Sequence, residues 1–117
     1  MSINVMKQTI VLTIDKILDF CDVPQLFIAR DAFDTNYLCL LYEDTPSCKY
    51  TAIRISSRRL LSFMNGGEDL RSLFEKPETP NEYFDVEYRE NNFHLIPLGA
   101  SSIGENRLPT GKYCVIP

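Results

Sequence analysis

The stretch Lys49-Tyr-Thr-Ala-Ile-Arg-Ile-Ser-Ser-Arg-Arg-Leu-Leu-Ser-Phe-Met64 changes its repeat halfway along, and that change decides the fold class. From Lys49 to Ile55 the side chains alternate, with Tyr50, Ala52 and Arg54 on one face and Thr51, Ile53 and Ile55 on the other, as in a strand. At Ser56 and Ser57 the two-residue repeat stops. A serine here can cap a helix, and Leu60, Leu61, Phe63 and Met64 then share one helical face. Asn65-Gly-Gly67 ends that helix, because glycine enters the left-handed C-terminal conformation without a Cβ clash.

Upstream, Gln8–Ile14 is rich in β-branched residues and predicts a first strand, while Lys16–Phe20 is open to either an extended or a helical course. Asp22, Val23 and Pro24 interrupt the pattern, and a second strand follows over Gln25–Ala29. The turn formers of Asp31–Asn36 lead into the apolar run Tyr37–Tyr42, which reads as a central strand, and Glu43–Ser47 is a further turn. Strands joined by such short turns predict an antiparallel meander. Downstream of the helix, Glu68 or Asp69 opens a second short one with Leu70, Leu73 and Phe74 as its apolar face, closed by Pro77. Glu82–Arg89 alternates again. Phe84, Val86 and Tyr88 are expected inside and Tyr83, Asp85, Glu87 and Arg89 in water, with Glu90-Asn-Asn92 turning the chain into Phe93–Ile96 as a hairpin. Residues 97–111 read as an exposed loop before a final apolar piece, Tyr113–Ile116. The expected fold is α+β: a mainly antiparallel sheet of about five to six strands, with one or two short helices packed on one face, in a single domain over residues 1–117.

Composition narrows the function classes. Sixteen acidic against twelve basic side chains give a charge of -4, the wrong sign for a protein dominated by phosphate-backbone contacts, so a nucleic-acid partner is not expected. With no apolar run of signal-peptide or membrane-span length, the expected location is the cytoplasm, with no membrane contact. Cys21, Cys39, Cys48 and Cys114 are widely spaced and sit mostly in apolar stretches, which predicts reduced core or near-core thiols.

No reactive motif emerges from the residue types. His94 is the single imidazole, and its place in Phe93-His-Leu-Ile96 predicts a solvent-facing strand residue. Asp15, Asp19, Asp22, Asp31 and Asp34 recur near strand ends, where metal-dependent nucleases also place carboxylates, but their spacing matches no metal loop and turn formation explains them. No catalytic residue, metal site or cofactor is expected. Arg54, Arg58 and Arg59 form the one dense basic cluster, suited to a phosphate group, to an acidic protein surface, or to ion pairs with Glu68, Asp69 or Glu75.

Two stretches together resemble a known family. Asp22-Val-Pro-Gln-Leu-Phe-Ile-Ala29 leading into Tyr37-Leu-Cys-Leu-Leu-Tyr42, and Tyr50-Thr-Ala-Ile-Arg-Ile-Ser-Ser-Arg-Arg-Leu-Leu61 leading through Gly66-Gly67 to Asp69-Leu-Arg-Ser-Leu-Phe74, resemble the bacterial domain-of-unknown-function family 6575. The resemblance spans about Gln8 to Glu78 and implies a bacterial or phage cytoplasmic protein with an N-terminal sheet followed by the Ser-Ser-Arg-Arg helix. It implies no catalytic residue. The expected function is a non-enzymatic interaction or regulatory module, inhibitor-like in size and charge, whose partner is another protein or a second copy. The alternative is a nucleic-acid or nucleotide-phosphate binder using Arg54, Arg58 and Arg59.

Overall fold

The computed structural model describes residues 10–98. Its elements follow in the order β1 (Ile10–Cys21), β2 (Val23–Arg30), β3 (Asn36–Glu43), β4 (Lys49–Arg54), α1 (Ser57–Met64), α2 (Leu70–Glu75), β5 (Phe84–Arg89) and β6 (Asn92–Pro97). The expected loop from 99 onward, the apolar piece Tyr113–Ile116 and Cys114 lie outside the described residues.

Every strand pairs antiparallel with its neighbour in sequence, and β1 also pairs with β6, Ile10–Leu12 against Phe93–Leu95, so the meander closes into a six-stranded barrel. The antiparallel strands and the two short helices are as expected, but the expected sheet with helices packed on one face is corrected to a sheet closed into a barrel. Closure pairs the meander's two outer strands over Ile10–Leu12 and Phe93–Leu95, and leaves the edge of β1 beyond Leu12 without a described strand. The device that permits it is the length of β1. The strand predicted to stop at Ile14 runs 12 residues to Cys21, and Lys16–Phe20 is extended, not helical. Its register against β2 shifts between Ile14 and Lys16, between Ile17 and Asp19, and between Asp19 and Phe20. Such bulges bend a strand and increase its twist. The first three residues of β1 therefore lie along β6, while Thr13–Cys21 lie along β2.

Alternation along the strands builds two apolar layers. Leu12, Phe27, Ala29, Tyr37, Cys39, Tyr50, Ala52, Phe84, Val86 and Leu95 come from all six strands and fill the lumen. The second layer lies outside the wall, where Leu26, Ile28, Leu38 and Ile53 meet Phe63 of α1 and Leu70, Leu73 and Phe74 of α2. Strands β2, β3 and β4 are thus buried on both faces, which explains the near-continuous apolar runs Leu26–Ala29 and Tyr37–Tyr42. Burying each such Leu or Phe is worth roughly 1.5–3 kcal/mol over leaving it in water. Tyr83, expected in water, is only 7% exposed because the helices cover that part of the outer face. Its hydroxyl donates to the carbonyl oxygen of Phe74. Tyr88, expected inside, is exposed.

The caps follow the sequence closely. The Ser56 side chain accepts the Arg59 N–H at 3.2 Å to start α1, and Asp69 accepts the Ser72 N–H at 2.8 Å to start α2. Gly66 at φ 80° ends α1 in the left-handed region, as its lack of a Cβ allows. Glu90 (φ 54°) and Asn91 (φ 64°) form a two-residue turn between β5 and β6 whose twist matches that of the flanking strands.

Candidate functional site

The β1–β2 hairpin carries the most unusual surface of the described chain. Over Thr13–Cys21, β1 pairs on one side with β2, and no described strand lies along its other edge. Ile17 pairs with Phe27, a lumen residue, whereas Lys16 pairs with Ile28 and Asp19 with Leu26, both in the layer beneath the helices. Ile17 therefore faces the barrel side and Lys16 and Asp19 the helix side. Ile17 is 43% exposed, and Phe20 beside the turn at Asp22 (φ 63°) is 60% exposed. Both are apolar groups left in water beside an open backbone edge.

On the helix side of this hairpin lies a groove of about 220 Å³, walled by Asp15 and Lys16 of β1 and by Ser57, Leu60, Leu61 and Met64 of α1, with Ile28 at its floor. Leu61 was expected on the buried face of α1 but is 61% exposed, because Phe63 points into the core and Leu61 is turned toward the groove and solvent. A second hollow of about 420 Å³, sharing Asp15 with this groove, lies on the side away from the hairpin tip and is lined by Val11, Thr13, Ile14, Asp15, Arg30, Asp31, Ala32 and Asp34.

The predicted arginine cluster is divided among three environments. Arg54, at the end of β4, has its Nε 3.2 Å from Glu82 and its guanidinium 5.6 Å from the centroid of the Phe84 ring. Arg59 is held by Glu68 through Nε and Nη2 at 3.0–3.2 Å, with Glu78 4.0 Å away. Glu68 was an expected partner; Glu82 and Glu78 were not anticipated. Arg58 is exposed, and no described carboxylate pairs with it. Glu75 pairs instead with Arg71 at 2.9 Å.

Three of the five aspartates converge further than their spacing suggests, and Asp15 and Asp31 are engaged there by partners within the fold. Asp15, Asp31 and Asp34 line the larger hollow. Asp15 pairs with Arg30 at 3.1 Å. One oxygen of Asp31 accepts the backbone N–H groups of Phe33 and Thr35 at 2.8 and 3.0 Å, and the other accepts the Tyr37 hydroxyl at 2.9 Å. Asp22 and Asp34 stand at positive φ in turns, and Asp19 is exposed. Among the described residues no three His, Cys, Asp or Glu side chains are grouped to hold a metal ion.

His94 is not solvent-facing as expected: it is 9% exposed. Phe93 and Leu95 on either side pack toward the lumen, which places the imidazole on the outer face, in register with Val11 and Glu87. Of the thiols, Cys39 is buried in the lumen, Cys48 is half-buried, and Cys21 at the hairpin tip is exposed rather than near-core. Burial pushes the Cys39 thiol well above its ordinary range, so it stays protonated and inert.

The sequence contained two signals for the open edge that strand-by-strand reading passes over. One is the uninterrupted β-branched and charged course from Ile10 to Cys21, with no glycine or proline to end it. The other is the placement of Asp15, Lys16 and Asp19 within that course, since charges are common on strands that border water. No family model, curated protein or solved structure matches this chain. No described helix is long and apolar enough to cross a membrane.

Proposed function

We propose that this chain is a non-enzymatic protein–protein interaction module that takes up an extended segment of its partner as an added strand along Thr13–Cys21 of β1. The observation carrying this reading is that nine consecutive residues of β1 pair with β2 on one edge and with no described strand on the other, beside exposed Ile17 and Phe20 and the groove under α1. Backbone groups at such an edge supply sequence-independent hydrogen bonds, and apolar relief beside it selects alternate side chains of the incoming strand. The bulges and the charges at Asp15, Lys16 and Asp19 are features by which proteins discourage indiscriminate pairing. They suit an edge that accepts a chosen partner.

A displayed library of unstructured peptides, selected on the purified chain, tests the reading. Enriched peptides should slow amide exchange at residues 13–21, and Ile17→Lys with Phe20→Lys should abolish their capture. Selection that yields no ligand, or ligands that protect other strands only, refutes it.

The alternative, a nucleic-acid or nucleotide-phosphate binder built on Arg54, Arg58 and Arg59, has weaker support. Carboxylates already engage two of the three guanidinium groups, which would have to be released before a phosphate could take their place.

A further inference from the structure

We infer that the partner segment carries carboxylates, read by Lys16 and Arg58 across the groove between β1 and α1; this rests on the strand-addition reading above. The groove walls hold two charges from β1. Asp15 is already compensated by Arg30 at 3.1 Å, which leaves Lys16 as the uncompensated one. On α1, Arg58 does not line the groove itself but lies three residues before the lining residue Leu61, so the two side chains are neighbours on one strip of the helix. Among the described residues neither Lys16 nor Arg58 has a carboxylate within ion-pair distance, in contrast to Arg30, Arg54, Arg59 and Arg71.

The groove is therefore apolar along Ile28, Leu60, Leu61 and Met64, with the cation of Lys16 in its lining and that of Arg58 about one helical turn from Leu61, on a chain whose overall charge is -4. A strand laid on the free edge of β1 would send every second side chain toward α1, because opposed residues in a sheet share a face. Its apolar side chains would fill the groove. A Glu or Asp beside the groove would meet Lys16, with Arg58 one helical turn from Leu61, and a Lys there would meet like charge; Asp19, on the same face but outside the groove lining, would favour the reverse where the segment runs on toward the hairpin tip. The matching occupant is an extended protein segment in which an apolar alternating run is joined to acidic residues.

Two fluorescent synthetic peptides test this, each alternating valine and threonine, one ending in a pair of glutamates and its twin in a pair of lysines. Binding is read by anisotropy at low salt and accompanied by amide exchange. The glutamate peptide should bind at least about tenfold more tightly than its twin. The double variant Lys16→Glu, Arg58→Glu should reverse the order, and Leu61→Asp should weaken both. Both altered charges are on exposed side chains, so the circular dichroism and melting temperature should match the parent. Equal affinities, no affinity for either peptide, or a preference that survives the double variant overturns the inference. So does self-association through this groove without peptide, or tighter binding of a single-stranded oligonucleotide than of the glutamate peptide. Exchange separates the two levels: protection at residues 13–21 without charge discrimination removes only the acidic partner, and binding without that protection removes strand addition itself.

Discussion

The phenol of Tyr37, in the lumen, donates its hydrogen to the Asp31 carboxylate at 2.9 Å, and so ties the barrel's contents to the loop that joins β2 to β3. Burial alone would raise the Asp31 pKa. The N–H groups of Thr35 and Phe33, the Tyr37 hydroxyl and the charge of Arg54 outweigh it and hold the carboxyl below its ordinary 3.8. A carboxyl depressed in the folded state stabilises the fold above its unfolded pKa, and that contribution is lost as pH falls through the folded value. Urea midpoints followed downward from neutral pH should therefore fall below about pH 4, and Asp31→Asn should flatten that fall. An acid limb of equal slope in the variant would contradict the assignment.

The same hydrogen bond has an alkaline signature. Burial and then the Asp31 carboxylate push the Tyr37 phenol up to about 12. Here the folded pKa is raised, so the contribution is intact below about pH 10 and lost as pH climbs toward 12. Absorbance titration of phenolate should show fewer high-range tyrosines in Tyr37→Phe than in the parent.

Tyr50 supplies a second tie through the barrel. Fully buried in β4, it donates to the carbonyl oxygen of Pro24 at 2.9 Å, near the tip of the β1–β2 hairpin. Tyr50→Phe keeps the ring and strands that carbonyl, which should cost about 1–2 kcal/mol in chemical unfolding. Tyr88→Phe, on an exposed ring, should stay within about 0.5 kcal/mol of the parent.

Two neighbours on α1 should behave oppositely. Phe63 is fully buried between helix and wall, so Phe63→Ala should cost roughly 3–5 kcal/mol. Leu61→Ala should leave stability within about 0.5 kcal/mol, because Leu61 faces the groove and solvent. Urea unfolding of the two variants checks the difference.

Thiol reactivity should rank by place in the barrel. Cys21 should react with a maleimide or disulfide reagent in the native protein, and Cys39 only after unfolding. Peptide mapping of labelled protein distinguishes them, and native labelling of Cys39 would contradict its placement.

Much of the wall was legible because its signals are local. The change of repeat at Ser56, the cap at Asp69 (one of the two starts the sequence offers), the left-handed Gly66 and the turn at Glu90–Asn91, one residue shorter than read, are each set by a few adjacent residues. Ring closure was not legible, since it depends on Ile10–Leu12 finding Phe93–Leu95 across the whole described chain. For the same reason alternation misplaced Tyr83 and His94. A two-residue repeat assigns a side chain to a face, but only the assembled barrel shows that the outer face is covered there. The arginine cluster was legible as charge and not as function, because Glu82 and Glu78, which engage Arg54 and Arg59, arrive from the far end of the helical excursion.

The ring is fastened by three residue pairs between β1 and β6, whereas β1 and β2 share a much longer register. The start of β1 and the end of β6 lie together at that short clasp, so tension applied there would peel its rungs one at a time instead of shearing them together. The annulus should accordingly gape at this clasp at small forces, leaving the helix-covered half intact.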